Sequence, residues 1–337
     1  MAEHETNNQL VRELNRNSLR SVSKHLRAAS KEELSRITGI EGPFFEELTA
    51  ELCSTGELLE EPAGGALCYR FNARHRLVLA ICVLEKNKVC AAVSDLYGEF
   101  LDRREINAQP DTLEFFDGIV ESYRAKYPAI SMLAFGMAGF EVRGKGPLLS
   151  INFPQLEWRF RDHFMDKYRL PSILENDIKA AVSGFYHTRA FGEGQCVTGI
   201  YLARTHHPAA GICIDGRIYR GRDNAAGEVI FLETPVKWRH FSGANAEIDY
   251  SKVDVEKLIG DMAVPLIVYL NPDCLVVYCN WLPEISAESL KKQLVESIPR
   301  EFLPDIVLAD DILPDFLDGL VHRALTQLEP KIELGED

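Results

Sequence analysis

Three polar residues stand where chemistry is possible. Asn176 and Asp177 follow a short strand-like run, Pro171–Leu174, and open a helical stretch that continues to Gly184. Glu228 ends the small-residue turn Asn224-Ala225-Ala226-Gly227-Glu228. A carboxylate at a helix N-terminus is favoured in its ionised form by the exposed amides and the helix dipole. It suits a hydroxyl, which it can orient or deprotonate. The plainer role for Asn176-Asp177 is an N-cap, and for Glu228 a solvated turn carboxylate. The histidines offer no competing centre. His206 and His207 are adjacent and His240 stands alone, and adjacent side chains do not converge readily on one tetrahedral ion. Eight cysteines lie mostly in apolar runs with no C-x-x-C pair. They read as buried thiols of a reducing compartment.

The elements that must position these residues fall into three parts, 1–75, 76–190 and 191–337. Residues 10–28 read as a helix with Leu10, Leu14, Leu19, Val22 and Leu26 on its apolar side and Arg12, Arg16, Arg20, Lys24 and Arg27 along another. Ser30-Lys31-Glu32-Glu33 reads as a capping box that starts a second helix ending at Thr38-Gly39. Pro43 suits the first turn of a third helix, which Gly56 ends. Two strand-like pieces around Pro62-Ala63-Gly64-Gly65 follow. Three helices and a hairpin make a winged helix-turn-helix. From Arg76 the pattern is strand, strand, strand, helix (Thr112–Lys126), strand (Ile130–Phe135). A similar order returns after Cys196, with a helix over Asp254–Leu270, a buried strand over Cys274–Tyr278 and a last helix over Pro314–Gln327. Two such halves would face each other across a cleft, where ligands bind.

The stretches Leu174–Gly184 and Ala209–Val229 together resemble the sugar-site half of the ROK family, which comprises sugar kinases and sugar-responsive repressors. The resemblance implies an α/β fold of the duplicated actin-like ATPase (ribonuclease-H-like) type with an N-terminal winged helix-turn-helix domain. It implies that Asp177 sits where the kinases keep the base that takes the sugar proton. It also implies that Asn176, Asp177 and Glu228 contact sugar hydroxyls. Ser150-Ile151-Asn152-Phe153-Pro154 resembles the family's sugar loop, which adds Asn152. Trp158 reads as core or as a stacking surface. Gly136-Met137-Ala138-Gly139 resembles another family segment, with Ala138 in place of its proline. Phe231 stands where the family carries a second sugar-contacting residue, a histidine that also ligates zinc in metal-bearing members.

The nucleotide-binding parts depart from the family pattern. Val83 and Glu85 replace an Asp and a Gly in the first phosphate hairpin. An apolar side chain cannot assist a metal, and a carboxylate repels phosphates. In the second phosphate loop, Ala203–Gly211, only the last Gly remains, and Pro208 removes a donor amide. Cys279-Asn280 stands where the adenosine loop has two glycines. Phosphoryl transfer rests on positioning and electrostatics, so ATP and Mg²⁺ are not expected. Residues 229–252 hold no Cys, so no zinc of the family's Cys-rich type is expected.

Across 337 residues the net charge is −14, which opposes non-specific phosphate binding by the whole molecule. Residues 1–72 hold eight Lys+Arg against twelve Asp+Glu. The third helix carries Glu46 and Glu47 where family repressors put groove-reading polar residues. DNA contact would then rest on Arg12, Arg16, Arg20 and Thr49. Hydrophobic content of 46% and charged content of 26% fit a globular protein. No run spans a bilayer and no leader pattern opens the chain, so a cytoplasmic location without a membrane partner is expected. The function expected is a sugar-responsive transcriptional regulator, homodimeric because half-site reading needs two winged domains. The alternatives are a sugar kinase with atypical phosphate loops, and a non-catalytic protein that acts through protein contacts.

Overall fold

A computed structural model describes residues 2–63, 66–85, 88–141, 148–149, 160–203, 207–234, 250–279 and 285–329. Two compact units emerge. One comprises Met1–Leu77, Asp95–Tyr97 and the chain end from Gln327, and the other Val78–Ser94 and Gly98–Thr326.

The first unit holds helix α1 (Ala2–Leu26), strand β1 (Ala28–Ser30), helices α2 (Lys31–Thr38) and α3 (Gly42–Ser54), and strands β2 (Leu58–Ala63) and β3 (Ala66–Phe71). The strands form an antiparallel sheet ordered β1-β3-β2. Ser30 caps α2 by accepting from the Glu33 amide, and Gly39 ends it at φ 71°, a left-handed conformation that costs glycine little. Leu19, Leu34, Phe45, Leu48, Leu52 and Leu58 close the core. Strand β1 was not legible, because three residues carry no alternation. Leu14 is exposed rather than part of the apolar stripe.

The second unit repeats one topology. Its first sheet contains β4 (Leu77–Glu85), β5 (Lys88–Ser94), β6 (Phe100–Asn107), β7 (Ile130–Met137) and, beyond the short pair β8 (Phe140–Glu141) and β9 (Leu148–Leu149), β10 (Ser172–Asn176). Helix α4 (Leu113–Lys126) precedes β7, α5 (Phe160–Tyr168) precedes β10, and α6 (Asp177–Thr188) follows it. The second sheet contains β11 (Cys196–Tyr201), β12 (Ala209–Ile214), β13 (Arg217–Ile218), β14 (Cys274–Tyr278) and β15 (Asp305–Ala309). Helix α7 (Val255–Leu270) precedes β14, α8 (Ala287–Leu294) precedes β15, and α9 (Leu313–Leu328) closes the repeat. The spatial orders are β6-β5-β4-β7-β10 and β13-β12-β11-β14-β15. In each, an antiparallel meander joins a parallel pair. Strands β4 and β11 are buried along nearly their whole length, as strands covered on both faces must be.

The two repeats exchange their last helices. Helix α6 follows the first sheet but packs on the second, where a Cβ at Gly199 or Gly211 would lie 2.3 and 2.9 Å from Val182 and Ile178 atoms. Helix α9 follows the second sheet but packs on the first, with Phe316 and Leu320 over Gly136. The two helices cross where Gly184 meets Asp315 and Gly319 meets Ala180. An added methyl there would lie 1.9 Å from the Asp315 carbonyl oxygen, or 1.8 Å from that of Ala180. Gly184→Ala and Gly319→Ala are each expected to cost about 3 kcal/mol of stability in urea unfolding. Gly118→Ala, in α4 with nothing within 4 Å of the new methyl, should be neutral or stabilise by about 0.5–1 kcal/mol.

Candidate functional site

Strand β10 ends and helix α6 begins without a connecting residue, so Glu175 and Asn176 end the strand and Asp177 opens a buried helix. Asn176 is its N-cap. The side-chain oxygen accepts from the Lys179 amide at 3.1 Å, and the side-chain amide donates to the Gly139 carbonyl at 3.1 Å. Asp177 is 2% exposed, and its Oδ1 accepts from the Ile178 amide at 2.8 Å. Both residues therefore serve the helix start, the plainer role open in the sequence.

Gly227 brings Glu228 to this turn. Its φ is 90°, and a Cβ there would lie 2.0 Å from the Ala210 carbonyl oxygen. The Ala210 amide donates to the Gly227 carbonyl at 2.8 Å, which ties the turn to β12. Glu228 is half-buried beside α6. Burial pushes its carboxyl up to about 7; Lys179 opposes that rise and Asp177 adds to it. Phe231, at the position of the family histidine, is 68% exposed.

Four charged residues to which the sequence reading assigned no role complete the cluster. Glu175 is buried at the end of β10. It accepts from Arg220, which follows β13, at 2.8 and 2.5 Å, from Arg323 of α9 at 2.5 Å, and from the Asn176 amide at 3.0 Å. Burial alone would raise its carboxyl, but the Arg323 and Arg220 guanidiniums and the amide outweigh it and hold it below the usual range. Lys179 is 1% exposed and donates from Nζ to the Asn224 carbonyl. Burial pushes its ammonium down, and the Glu228 and Glu175 carboxylates counter that. The available signal was a charge interrupting an apolar run: Glu175 after Ile173-Leu174, Lys179 before Ala180-Ala181, and Arg323 within Val321–Leu328.

Several expected features lie outside the described residues. They are Asn152, Trp158, Gly64-Gly65, His206, His240 and Asn280. Of the nucleotide elements, Val83 and Leu84 are buried side chains of β4, and Cys279 is buried after β14. Val83 and Leu84 carry no polar side-chain atom that could reach a phosphate or its metal. Among the described residues no cluster of three or more His, Cys, Asp or Glu could hold a metal ion, and no helix is long and apolar enough to cross a membrane.

In the winged unit, Thr49 requires a correction. It was expected to face DNA, but it is buried, and its hydroxyl donates to the Phe45 and Glu46 carbonyls at 3.0 and 3.1 Å. The arginines of α1 meet the acids of α3 and its end. Arg12 bonds Glu47 at 2.7 Å and Glu51 at 2.9 Å, Arg16 bonds Glu51 at 2.7 Å, and Arg20 forks onto Glu57.

The crystal structure of a ROK family transcriptional regulator, a homologue of the E. coli MLC protein, superposes with TM-score 0.64 at 16% identity. The match covers 94% of this chain and 100% of the other. This chain has the ROK fold. A ROK glucokinase from Streptomyces griseus, solved with glucose and AMPPNP, shares it at TM-score 0.55 and 18% identity over 74% of this chain and 99% of its own. The ROK hexokinase from Thermus thermophilus does so at TM-score 0.57 and 17% identity over 75% and 100%. In sequence, N-acetyl-D-glucosamine kinase of Vibrio cholerae is 24% identical over 130 residues, 38% of this chain and 42% of that enzyme. The chain thus matches about two-fifths of the length of that curated relative. No family model matches. The ROK fold comprises α/β halves of the actin-like ATPase type, as the sequence implied.

Two outcomes test the cluster. Glu175→Gln leaves two guanidiniums facing a neutral amide and should cost about 3 kcal/mol in urea unfolding. Glu228 has a folded-state value near 7 against an ordinary 4.5, so the fold favours its protonated form. Its contribution is complete below about 4.5 and is lost as pH rises through 7. The melting temperature should therefore fall from pH 5 to pH 8, and Glu228→Gln should flatten that slope.

Proposed function

We propose that this chain is a ROK-type transcriptional regulator that binds a sugar or sugar derivative and lacks kinase activity. One observation carries the proposal. The regulator's likeness spans 94% of this chain, whereas the two kinases leave about a quarter unmatched, a share comparable with Met1–Leu77. The buried apolar side chains at Val83, Leu84 and Cys279 support the absence of phosphoryl transfer. Asn176, Asp177 and Glu228 would meet the sugar's hydroxyls, as would Asn152. Ligand would shift the balance between two arrangements of the halves, and a homodimer would present two winged domains to operator DNA.

A second reading, protein contact without DNA binding, is favoured by the pairing of Arg12 and Arg16 with Glu47 and Glu51. Exposed ion pairs are worth little, about 0–1 kcal/mol, so phosphates could still recruit these arginines. Mobility shifts with fragments upstream of the chain's own gene should show binding at 50 mM salt that weakens at 200 mM. Arg12→Ala with Arg16→Ala should abolish it, and Glu47→Gln with Glu51→Gln should tighten it about tenfold. Absence of binding to any fragment would leave the second reading standing. Sugar-dependent ADP release from ATP, lost in Asp177→Asn, would overturn both in favour of a kinase.

A further inference from the structure

Turns between strands ordinarily run over the surface. The turn between β5 and β6 does not. Asp95 and Leu96 are only 4% and 9% exposed, and Asp95–Tyr97 belongs to the first unit although both flanking strands belong to the second. Strand β5 leaves its ladder through a register shift between Val93 and Ser94, the kind of irregularity that bends a strand. Asp95 then shapes the turn by accepting from the Tyr97 amide at 2.9 Å. Gly98, at φ 85°, takes the chain back. Within the first unit the Leu96 amide donates to the Ala73 carbonyl at 3.0 Å. The Tyr97 ring meets the buried Phe71 ring edge-on with centroids 5.8 Å apart, and the Arg27 guanidinium lies 4.4 Å from the Tyr97 centroid. Arg27 has φ 65°, a left-handed backbone that glycine adopts at least cost. Its side chain accounts for an arginine there, since the cation covers the ring face.

We propose that the Asp95–Tyr97 turn is a clasp that makes the two units unfold and respond together, with Tyr97 as its anchor. Units joined by a single linker move independently by default. Here the chain passes between units at Leu77–Val78, again at both ends of the turn, and once more at Thr326–Gln327. Beyond that last passage Glu329 accepts from Lys24 of α1 at 3.2 Å. The turn is the shortest of these routes and the one with an aromatic anchor. Three residues leave no slack, so a displacement of β5 or β6 either carries Tyr97 with it or breaks the contacts with Phe71 and Arg27. The clasp acts whether the partner of the winged unit is DNA or protein, so it stands apart from the function proposed above. It supplies what a regulator requires, a coupling free energy between the unit that takes the signal and the unit that delivers it.

The test unfolds the full chain in urea and follows two signals. All three tryptophans, Trp158, Trp238 and Trp281, lie between Gly98 and Thr326, so their fluorescence follows the second unit alone. Far-ultraviolet circular dichroism follows the helices of both. In the unmodified chain the two midpoints should coincide. Tyr97→Ala should part them by about 0.5 M or more, with dichroism falling first. Arg27→Gly, which relieves the left-handed backbone, should part them in the same direction, and it decides the matter if Tyr97→Ala does not fold. Leu34→Ala, a core truncation in α2, is the control and should lower both midpoints together. Midpoints that already differ in the unmodified chain overturn the proposal. Coincidence in both clasp variants overturns it as well. So does parting in Leu34→Ala, because any loss in the first unit would then separate the signals and the turn would have no part of its own. Parting in Tyr97→Ala alone upholds the clasp and removes Arg27 from it.

Discussion

The second unit depends on one buried carboxylate. Glu175 ends a strand of the first sheet, takes both arms of Arg220 from just beyond the second sheet, and takes Arg323 from the helix that returns to the first. A lone carboxylate at that depth would be expensive. Two guanidiniums and a backbone amide make it tolerable, and removing any partner leaves charge unmatched. The geometry is demanding as well. A bidentate arginine fork accepts little displacement, so the end of β10 and the residue after β13 must stay in register. The N-cap of α6 is the next residue, so the placement of Asn176 and Asp177 follows from that register.

The helix exchange sets the second constraint. Helices α6 and α9 must pass within backbone contact, and only glycine at 184 and 319 permits it. That closeness puts Asp315 of α9 in reach of Arg189 and Tyr278 at 2.8 and 2.9 Å, a second charged tie on the same crossing. Each half thus lends a helix to the other's sheet, and the two halves share one interior. A ligand that altered the angle between them would have to work through these crossings. Small-residue contacts slide more readily than interdigitated side chains do.

Much of this was legible because period and punctuation agreed. The strands of both meanders read as apolar runs broken by tight turns, and α3 announced itself through Pro43 and Gly56. Helix α5 was missed. Its apolar residues Phe160, Phe164 and Tyr168 lie four apart on a single stripe nine residues long, too short for period to separate from loop. At the site, the sequence showed Asn176, Asp177 and Glu228 as polar residues in turn contexts. It could not give Arg220 and Arg323 as partners of Glu175. Those contacts join positions 45 and 148 residues apart, and separation of that kind leaves no local trace. Thr49 failed for a related reason. Glu46, Glu47 and Glu51 flank it along α3, but its own place on that helix faces inward, and a hydroxyl there is satisfied by the carbonyls one turn back.

The first and second units both pair their cations with acids of the same chain. In the first, glutamates of α3 answer the arginines of α1, so a phosphate backbone would have to displace one acid for each arginine it recruits. In the second, Arg220 and Arg323 answer Glu175, and Lys179 lies near Glu228 and Glu175. A protein that binds a polyanion or an anionic ligand must keep its cations ionised and in place when that partner is absent, and acidic neighbours do that. The arrangement lowers affinity but raises selectivity. Only a partner that offers several well-placed negative groups at once recovers what the internal pairs contribute. The acidic third helix and the net charge of −14 then act as a filter against unspecific anions.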